Sequence, residues 1–366
     1  MADNTIEIST KGSWIRVPAR SIDGQPVIVR GRWLKVASVH DESWLETEVT
    51  DPAKYVRELR RGAGPRADIF TFAQKLPATE PRHEYPMIRE SWAVIRLASF
   101  KQWWESLPQE TRKNVRRAQK RGVEIRIKSF DNELLAGIKD VNDDSAFRQG
   151  ERNYYYGRTI EELKKDYSAF LDRSDFICAY VGSEMVGFLK IVYRGGIASI
   201  LNLTPKHSHA DKRPANALLA KAVELCEAKG ISHLTYGMYN YGNKRESPLR
   251  EFKTRNGFEE ILVPRFYVPL TAWGRLCLGL NLHRGVLGIL PHRVIAALLQ
   301  ARAELQHRKQ QWMSRCSSMS ERPNRNRQME RSIPPAGSSN SAVGDAANPE
   351  PELAQVSKQT LGSDLN

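Results

Sequence analysis

The chain of 366 residues has few cysteines and no long apolar run, and these absences exclude several classes of protein. The four cysteines, Cys178, Cys226, Cys277 and Cys316, form no C-x-x-C pair, which argues against a zinc site or a disulfide framework. Reduced thiols in a cytoplasmic protein fit this pattern best. No stretch reaches the ~18 consecutive apolar residues of a transmembrane helix. The acidic N-terminus also lacks the apolar core of a signal peptide, so none is expected.

The usual motifs of covalent and metal-dependent catalysis are missing as well. There is no G-x-S-x-G sequence and no evident Ser/His/Asp grouping, which is consistent with chemistry that needs no covalent enzyme intermediate. His207 and His209 form a His-x-His pair, but no third ligand lies near them in sequence. A polar loop explains this pair better than a metal ion does, and no metal site is predicted.

What the chain does have is an excess of positive charge, +14 with a pI near 9.6. The charge is uneven. Residues 99–122 contribute +5 (seven basic, two acidic), and residues 270–331 contribute +8 (eleven basic, three acidic). Because these two segments carry +13 of the +14, we expect two local contact surfaces for anions and not a generally basic protein.

The densest basic run is 112–121, with six basic and no acidic residues among ten. Pro108 marks the start of a helix and Gly122 its end. Apolar residues at spacings of three and four (Trp104, Leu107, Thr111, Val115, Ala118) predict one buried stripe, so the cations face outward. Nucleic acid is one partner for such a surface. A solvated basic face without a partner is the other interpretation.

The rest of the chain predicts a β-rich region followed by an alternating one. Strands are predicted in the first region at 27–29, 33–37, 68–72 and 92–97. The second region follows the order β-α-α-β-β-β-α-β-α-β-β, with elements predicted at 123–129, 131–145, 159–172, 176–181, 185–193, 197–203, 214–229, 233–238, 248–256, 258–263 and 266–270. Turns at Gly182-Ser183 and 194–196 make the three central strands antiparallel hairpins. Thr159 with Glu162 predicts a capping box.

This element order resembles the GNAT acyltransferase fold. Two motifs, RKNVRRAQKRGV at 112–123 and Tyr236-Gly237 followed by SPLREFKTRNGF at 247–258, resemble the Fem-type (FemAB-like) branch. The resemblance covers about residues 90–270. It implies an α/β (α+β) fold with a mixed central sheet flanked by helices, and a smaller, β-rich GNAT-like N-terminal half. It also implies direct acyl transfer to an amine or hydroxyl of a cell-envelope polysaccharide or lipid-linked precursor.

The resemblance nominates three catalytic residues. A lysine at the position of Lys253 is thought to lie near the reacting carbonyl, where it stabilises the oxyanion or the leaving group; an exposed helix lysine is the alternative. Tyr236 is the predicted general acid. Asn202 is predicted to orient the acceptor or the carbonyl. Packing is the competing role for the tyrosine.

The donor implied by the resemblance is acyl-CoA or aminoacyl-tRNA, as a co-substrate, with no tightly bound cofactor. The donor-binding candidates are Lys212, Arg213, Asn216, Tyr239 and Asn240. The stretch KRPANA at 212–217 stands where coenzyme A-dependent members carry a glycine-rich phosphate loop, but it contains no glycine. This departure leans toward the Fem-type members that use aminoacyl-tRNA.

The acceptor is expected to carry a phosphate, as a sugar nucleotide, a lipid diphosphate or a tRNA does. Arg112, Lys113, Arg116 and Arg117 are the predicted cations, and Tyr155 in the tyrosine-rich loop is the predicted pocket wall. Packing of a long connection is the alternative role of this loop. In this interpretation the basic helix is a hinge between two half-domains, and duplex DNA is not an expected partner.

The predicted domains are 1–98, a β-rich half-domain, and 99–270, the acyltransferase domain with its linking helix at 108–121. Residues 271–315 are predicted as a basic amphipathic helical extension, which either contacts an anionic membrane surface or packs on the domain. Residues 316–366 are predicted to be a disordered tail. Two functions of another class stay open, a nucleic-acid-binding protein and a membrane-associated, non-catalytic protein on a degenerate GNAT fold.

Overall fold

The computed structural model describes residues 5–10, 12–40, 47–61, 64–148, 151–240 and 247–284. The described residues fall in two units of the chain, residues 5–279 and residues 280–284. In the second unit the described part contains one 3-10 turn, Leu282–Arg284. The predicted helix over 294–312 and the predicted tail lie outside the described residues. All the elements below belong to the first unit.

The N-terminal region is an antiparallel meander that ends in a parallel pair. Its elements are β1 (Thr5–Thr10), β2 (Ser13–Ile22), β3 (Gln25–Arg30), β4 (Val36–Val39), α1 (Pro52–Arg61) and β5 (Ile69–Ala73). Strands β1 to β4 pair in order, and β5 lies parallel to β4 after α1 crosses over. Strands β1 and β2 and helix α1 are absent from the sequence prediction, because β2 interrupts its apolar alternation with Arg16, Pro18 and Arg20.

The middle of the chain supplies two helix pairs. Its elements are β6 (Met87–Arg96), α2 (Phe100–Ser106), α3 (Gln109–Lys120), β7 (Val123–Lys128), α4 (Asn132–Asp143), β8 (Phe147–Arg148), β9 (Glu151–Arg152) and α5 (Ile160–Tyr167). The predicted capping box is present: the Thr159 amide donates to Glu162 Oε2 at 2.9 Å, and the Glu162 amide donates to Thr159 Oγ1 at 3.2 Å. Gly122, at φ +77°, ends the basic helix where the sequence predicts its end.

The last part contains the predicted hairpins and crossover helix. Its elements are β10 (Ser174–Val181), β11 (Glu184–Arg194), β12 (Ile197–Pro205), α6 (Pro214–Ala228), β13 (His233–Met238), α7 (Pro248–Arg255), β14 (Glu259–Pro269) and α8 (Ala272–Gly279). The antiparallel β10–β11–β12 pairs and the parallel β12–β13 pair match the predicted order.

Twelve strands form one sheet in the order β1-β2-β3-β4-β5-β14-β6-β13-β12-β11-β10-β7. The predicted strand pair at 258–263 and 266–270 is wrong, because these residues form the one continuous strand β14. Pro264 and Arg265 suggest a turn in the sequence. In the structure β14 pairs with β6 and, further along, with β5, and Arg265 Nε donates to the buried Glu90 carboxylate at 2.6 Å. This ion pair lets a charged residue lie inside a strand.

Helices cover both faces of the sheet, and the predicted mixed α/β sheet flanked by helices is confirmed. Helices α3 and α6 pack together on one face, in a core that includes Val115, Ala118, Leu218 and Leu219. Helices α4 and α5 cover the other face, in a core that includes Leu134, Leu163 and Phe188. Strand β14 continues the sheet from the N-terminal strands into the rest, so no break in the sheet marks the predicted boundary at residue 98.

The basic helix occupies a different place from the predicted hinge. Helix α3 packs against α6 and reaches β7, the strand at the far edge of the sheet. The junction between the N-terminal strands and the rest is formed by β5, β14 and β6. Helix α3 therefore lies over the second half of the sheet and not between the halves.

Candidate active site

The site is built around two parallel strands that separate. Strands β12 and β13 pair only from Ile197–Ser199 with His233–Thr235, although both continue for several residues. The register between β11 and β12 also shifts, since Lys190 pairs with Asn202 and Ile191 with Ile200. Leu201 is the extra residue of this bulge, which bends β12 beside the point of separation. Beyond Ser199 and Thr235 the two strands are no longer paired with each other.

Helix α7 places Lys253 next to the end of β13. The helix begins with Ser247, whose hydroxyl accepts from the Arg250 amide at 3.2 Å, and with Pro248 in its first turn. Gly257, at φ +84°, follows its end. Of the α7 residues, Leu249, Phe252 and Lys253 are buried. The lysine thus lies on the inner face of the helix, and the exposed alternative is not what the structure shows.

Lys253 is fully buried, with 0% of its surface exposed. Its Nζ donates to the Met238 carbonyl at 2.7 Å and lies 4.7 Å from the centre of the Tyr236 ring. Burial disfavours the charged form and lowers the pKa of Lys253 from 10.5 to about 7. A buried amine that titrates near neutral pH is a frequent feature of catalytic sites.

Three other predicted residues lie at the same end of β13. Tyr236 is buried, with its ring 5.8 Å from that of Phe258. The hydroxyl of Tyr239 lies 2.7 Å from Thr254 Oγ1 of α7, and Arg250 lies over the Tyr239 ring. Asn240 Nδ2 donates to Ser91 Oγ at 3.2 Å and to Glu260 Oε1 at 2.8 Å. The structure therefore groups Lys253, Tyr236, Tyr239 and Asn240 on β13, its end and α7.

The start of α6 supplies the predicted donor site. Arg213 adopts a left-handed conformation, φ +57°, and Pro214 follows as the first helical residue. No side chain caps this end, so the backbone amides of the first turn have no side-chain acceptor at the positive end of the helix dipole. Lys212 adds a cation and lies 3.8 Å from the Asp211 carboxylate. This arrangement suits an anion such as a phosphate.

Asn216 connects this helix end to α7. Its Nδ2 donates to Asn256 Oδ1 at 3.1 Å, and Asn256 Nδ2 donates to the Phe252 carbonyl at 2.7 Å. Asn216 is buried, so its side chain positions the two helices relative to each other. The α6 terminus and Lys253 consequently belong to one neighbourhood. Asn256, Thr254 and Ser91 are contacts that the sequence analysis misses, because polar residues beside a glycine turn or within a strand carry no distinctive spacing.

Asn202 lies apart from this group. It pairs with Lys190, whose Nζ donates to the carbonyls of Tyr167 and Ala169 at 2.7 and 2.5 Å, on the face that carries α4 and α5. Paired residues share a face of the sheet. Tyr236 and Lys253 instead belong to the α6 side. The structure does not bring Asn202 onto the same face as the other two catalytic candidates.

The predicted acceptor residues also separate. Arg116 and Lys113 are exposed and Arg112 and Arg117 are half-buried on α3, so the cations face outward as predicted. Glu110 lies 3.9 Å from both Lys113 and Arg117, and Arg116 lies over the Trp104 ring. Tyr155 packs instead on Tyr167 at 5.6 Å, under α4 and α5 on the opposite face. Burial raises the pKa of the Tyr155 hydroxyl.

His209 of the His-x-His pair has an acidic neighbour in the structure. Its Nε2 lies 3.2 Å from the Glu184 carboxylate, and Lys206 bridges the same carboxylate to Asp140. These contacts hold the loop before α6 against the hairpin turn.

Within the described residues, no helix is both long and apolar enough to cross a membrane.

No known protein-family model matches this chain, and no curated protein matches it. Solved structures are similar to this chain at low identity. L-PGS from Bacillus licheniformis is 16% identical, with 72% of this chain and 87% of that one covered and a TM-score of 0.47. FemX is 11% identical over 67% of this chain and 86% of its own, with a TM-score of 0.48. A tandem GNAT protein from the clavulanic acid biosynthesis pathway is 11% identical, with 70% of this chain and 82% of that one covered and a TM-score of 0.39.

Proposed function

We propose that this protein is an acyltransferase that moves an acyl or aminoacyl group onto an amine or hydroxyl of a cell-envelope polysaccharide or lipid-linked precursor. One observation carries the proposal. Lys253 is a completely buried lysine with a pKa near 7, placed against Tyr236 where β12 and β13 separate. Burying an amine destabilises the folded protein. A role in catalysis explains why it is buried here, because a buried cation can stabilise the negative charge that develops in the transition state.

The reaction needs no covalent enzyme intermediate. The nitrogen or oxygen of the acceptor attacks the carbonyl carbon of the donor thioester or ester, and a tetrahedral oxyanion forms. When it collapses, the carbon–sulfur or carbon–oxygen bond of the donor breaks, and the proton lost by the acceptor is balanced by one gained by the leaving group. The cationic form of Lys253 stabilises the oxyanion, and the Tyr236 hydroxyl is the proposed proton donor.

The donor is proposed to be acyl-CoA or aminoacyl-tRNA, with its phosphates at the start of α6. The uncapped amides and the neighbouring Lys212 and Arg213 support an anionic ligand there. Tyr239 and Asn240, which follow β13 and contact α7 and β14, are the other proposed donor contacts. The absence of glycine from 212–217 removes the close backbone approach that a pyrophosphate loop normally has, which favours the tRNA ester.

The acceptor is proposed to bear a phosphate that the outer face of α3 contacts. The helix carries five basic residues, the four predicted cations and Lys120, and Glu110 is its acidic residue. Duplex DNA is not the proposed ligand, and salt dependence tests this. Binding to duplex DNA at low salt that weakens steeply at moderate salt would favour the nucleic-acid-binding function, whereas the proposed transferase should not bind duplex DNA at all.

The test is a thiol-release assay of the full chain with a panel of acyl-CoAs, with and without amino-sugar acceptors, and in parallel a deacylation assay with aminoacyl-tRNA. We expect turnover with one donor class, lost in Lys253→Met. Lys190→Met is the matched control, since Lys190 is also fully buried and hydrogen-bonded but lies on the other face of the sheet. Turnover that survives Lys253→Met, or that falls equally in both variants, would remove Lys253 from the reaction. No turnover with either donor class would contradict acyl transfer.

A further inference from the structure

The outward face of α8 is apolar. Gly274 and Cys277 are the buried residues of this helix, which places Trp273 and Leu276 on its outer side. They are 43% and 52% exposed, and residues three apart lie on the same side of a helix. A helix packed on a sheet normally shows polar residues to solvent, so this face is unusual.

A second tryptophan extends the apolar face beyond the helix. Trp33, in the loop between β3 and β4, is 47% exposed. Its ring meets that of Trp273 edge-on at 6.2 Å, and Trp273 Nε1 donates to the Trp33 carbonyl at 3.1 Å. Trp33, Trp273 and Leu276 thus form one surface feature, the tryptophan patch.

The patch is held in place by close contacts to β5. A Cβ atom on Gly274 would lie only 2.0 Å from the Asp68 carbonyl oxygen, so only glycine lets α8 approach this closely. The Thr271 hydroxyl donates to Asp68 Oδ1 at 2.9 Å and accepts from the Gly274 amide at 3.0 Å. These contacts fix the exposed rings on the body of the fold, and they are not part of a loose chain end.

Cations surround the patch. Arg32 and Lys35 flank Trp33 in the sequence, and Arg275 lies between Trp273 and Leu276. All three are exposed, and within the described residues none of their side chains forms an ion pair. Asp68 is the nearby acid, and it accepts the Lys35 amide and the Thr271 hydroxyl. Free cations therefore frame an exposed aromatic and aliphatic surface.

We propose that the tryptophan patch docks the protein on an anionic lipid bilayer. Tryptophan prefers the interface between headgroups and acyl chains, and the framing cations attract anionic headgroups. Membrane binding generally requires two such signals together, apolar insertion and charge. The sequence that follows α8 has the same character, with six basic residues and one acidic residue over 284–315. The proposal extends the proposed acyl transfer and does not depend on it.

The experiment is co-sedimentation of the full chain with vesicles of phosphatidylcholine alone and with vesicles that also contain phosphatidylglycerol. We expect binding to the second kind only, weakened about tenfold by Leu276→Glu and about fivefold by Arg275→Gln. Ile127→Glu is the matched control. Ile127 is 50% exposed on β7, at the far edge of the sheet from α8, and this variant should bind like the wild type.

Three results would overturn the proposal. No sedimentation with phosphatidylglycerol vesicles would contradict docking on lipid. The occupant of the patch would then be either residues 285–315 or a second copy of the chain, and a dimer in sedimentation equilibrium would identify the second copy. Equal binding by Leu276→Glu and Ile127→Glu would place lipid contact elsewhere. Equal binding to both kinds of vesicle would remove the role of the cations. Because the patch lies outside the proposed active site, Leu276→Glu should keep its turnover with soluble substrates, so the two proposals fail separately.

Discussion

Replacing Lys253 by methionine should make the folded protein more stable at neutral and acidic pH. The side chain is buried, and burial lowers the pKa of its amine from 10.5 to about 7. In the unfolded chain the amine keeps its ordinary pKa. Below pH 7 both states carry the proton, and the folded state bears the full cost of a buried charge. Methionine has a similar length and no charge, so it removes that cost.

The magnitude follows from the two pKa values. The difference between 10.5 and about 7 corresponds to about 5 kcal/mol, at about 1.36 kcal/mol for each pKa unit. The substitution also leaves the Met238 carbonyl without its donor at 2.7 Å, which costs about 1 to 3 kcal/mol. We therefore expect Lys253→Met to raise the free energy of unfolding by about 2 to 4 kcal/mol at pH 6.

The sign reverses at high pH. Between about 7 and 10.5 the unfolded chain holds a proton that the folded protein has lost, so the stability of the wild type rises with pH across this window. Above it the wild-type lysine is neutral in both states, and the variant retains only the loss of the hydrogen bond. Urea denaturation of both proteins at pH 6, 8 and 10.5 measures the difference, which isolates Lys253 from the other titrating groups.

Lys190→Met provides the comparison for a buried lysine outside the proposed site. It removes a donor from the carbonyls of Tyr167 and Ala169, so we expect lower stability. The reasoning is refuted if Lys253→Met destabilises the protein equally at all three pH values. That result would mean that Lys253 is an ordinary buried donor with no perturbed titration.

The remaining predictions concern activity and the sheet. If the cation of Lys253 is the active form, kcat/KM should fall as pH rises through about 7, and a rise over the same range would make the neutral amine a general base. Tyr236→Phe should lower kcat about a hundredfold with little change in KM, and an unchanged kcat would assign the ring to packing. Reversing the charge of Arg116 and Arg117 to Glu should raise KM for the acceptor and leave donor binding intact, which isothermal titration with the donor checks. Glu90→Gln should cost about 3 to 5 kcal/mol in the free energy of unfolding, because it leaves the buried guanidinium of Arg265 without its anion.

The second half of the fold could be read from the sequence because its signals are local. Prolines, glycines and a capping pair mark the ends of the helices, and two short glycine turns separate the central hairpins. The same signals fail where long-range pairing decides. Residues 264–265 look like a turn until Glu90 of a distant strand neutralises Arg265. Strand β2 is likewise recognised only through its neighbours in the sheet.

The candidate site shows the same division. The motif at 247–258 directs attention to Lys253, but its burial, and hence its pKa near 7, depends on β13 and on the packing of Phe258 and Tyr236. The sequence alone cannot assign Asn202 and Tyr155 to a face of the sheet. A one-residue bulge at Leu201 and the packing of Tyr155 on Tyr167 decide their positions. Contacts between residues distant in sequence therefore determine which candidates can act together.

Strand β14 constrains how a substrate can reach the site. It hydrogen-bonds to β5 on one side and to β6 on the other. The N-terminal strands and the later strands therefore form one continuous sheet. Separating the N-terminal strands from the rest of the sheet along β14 would break its backbone hydrogen bonds to β5 or β6. Separation from β6 would also break the buried ion pair between Arg265 and Glu90. A substrate of the proposed reaction would therefore have to reach Lys253 without separation of the sheet along β14. We therefore expect the rate of turnover to be limited by local movements near the site. Closure of the N-terminal strands on the rest of the sheet should not limit it.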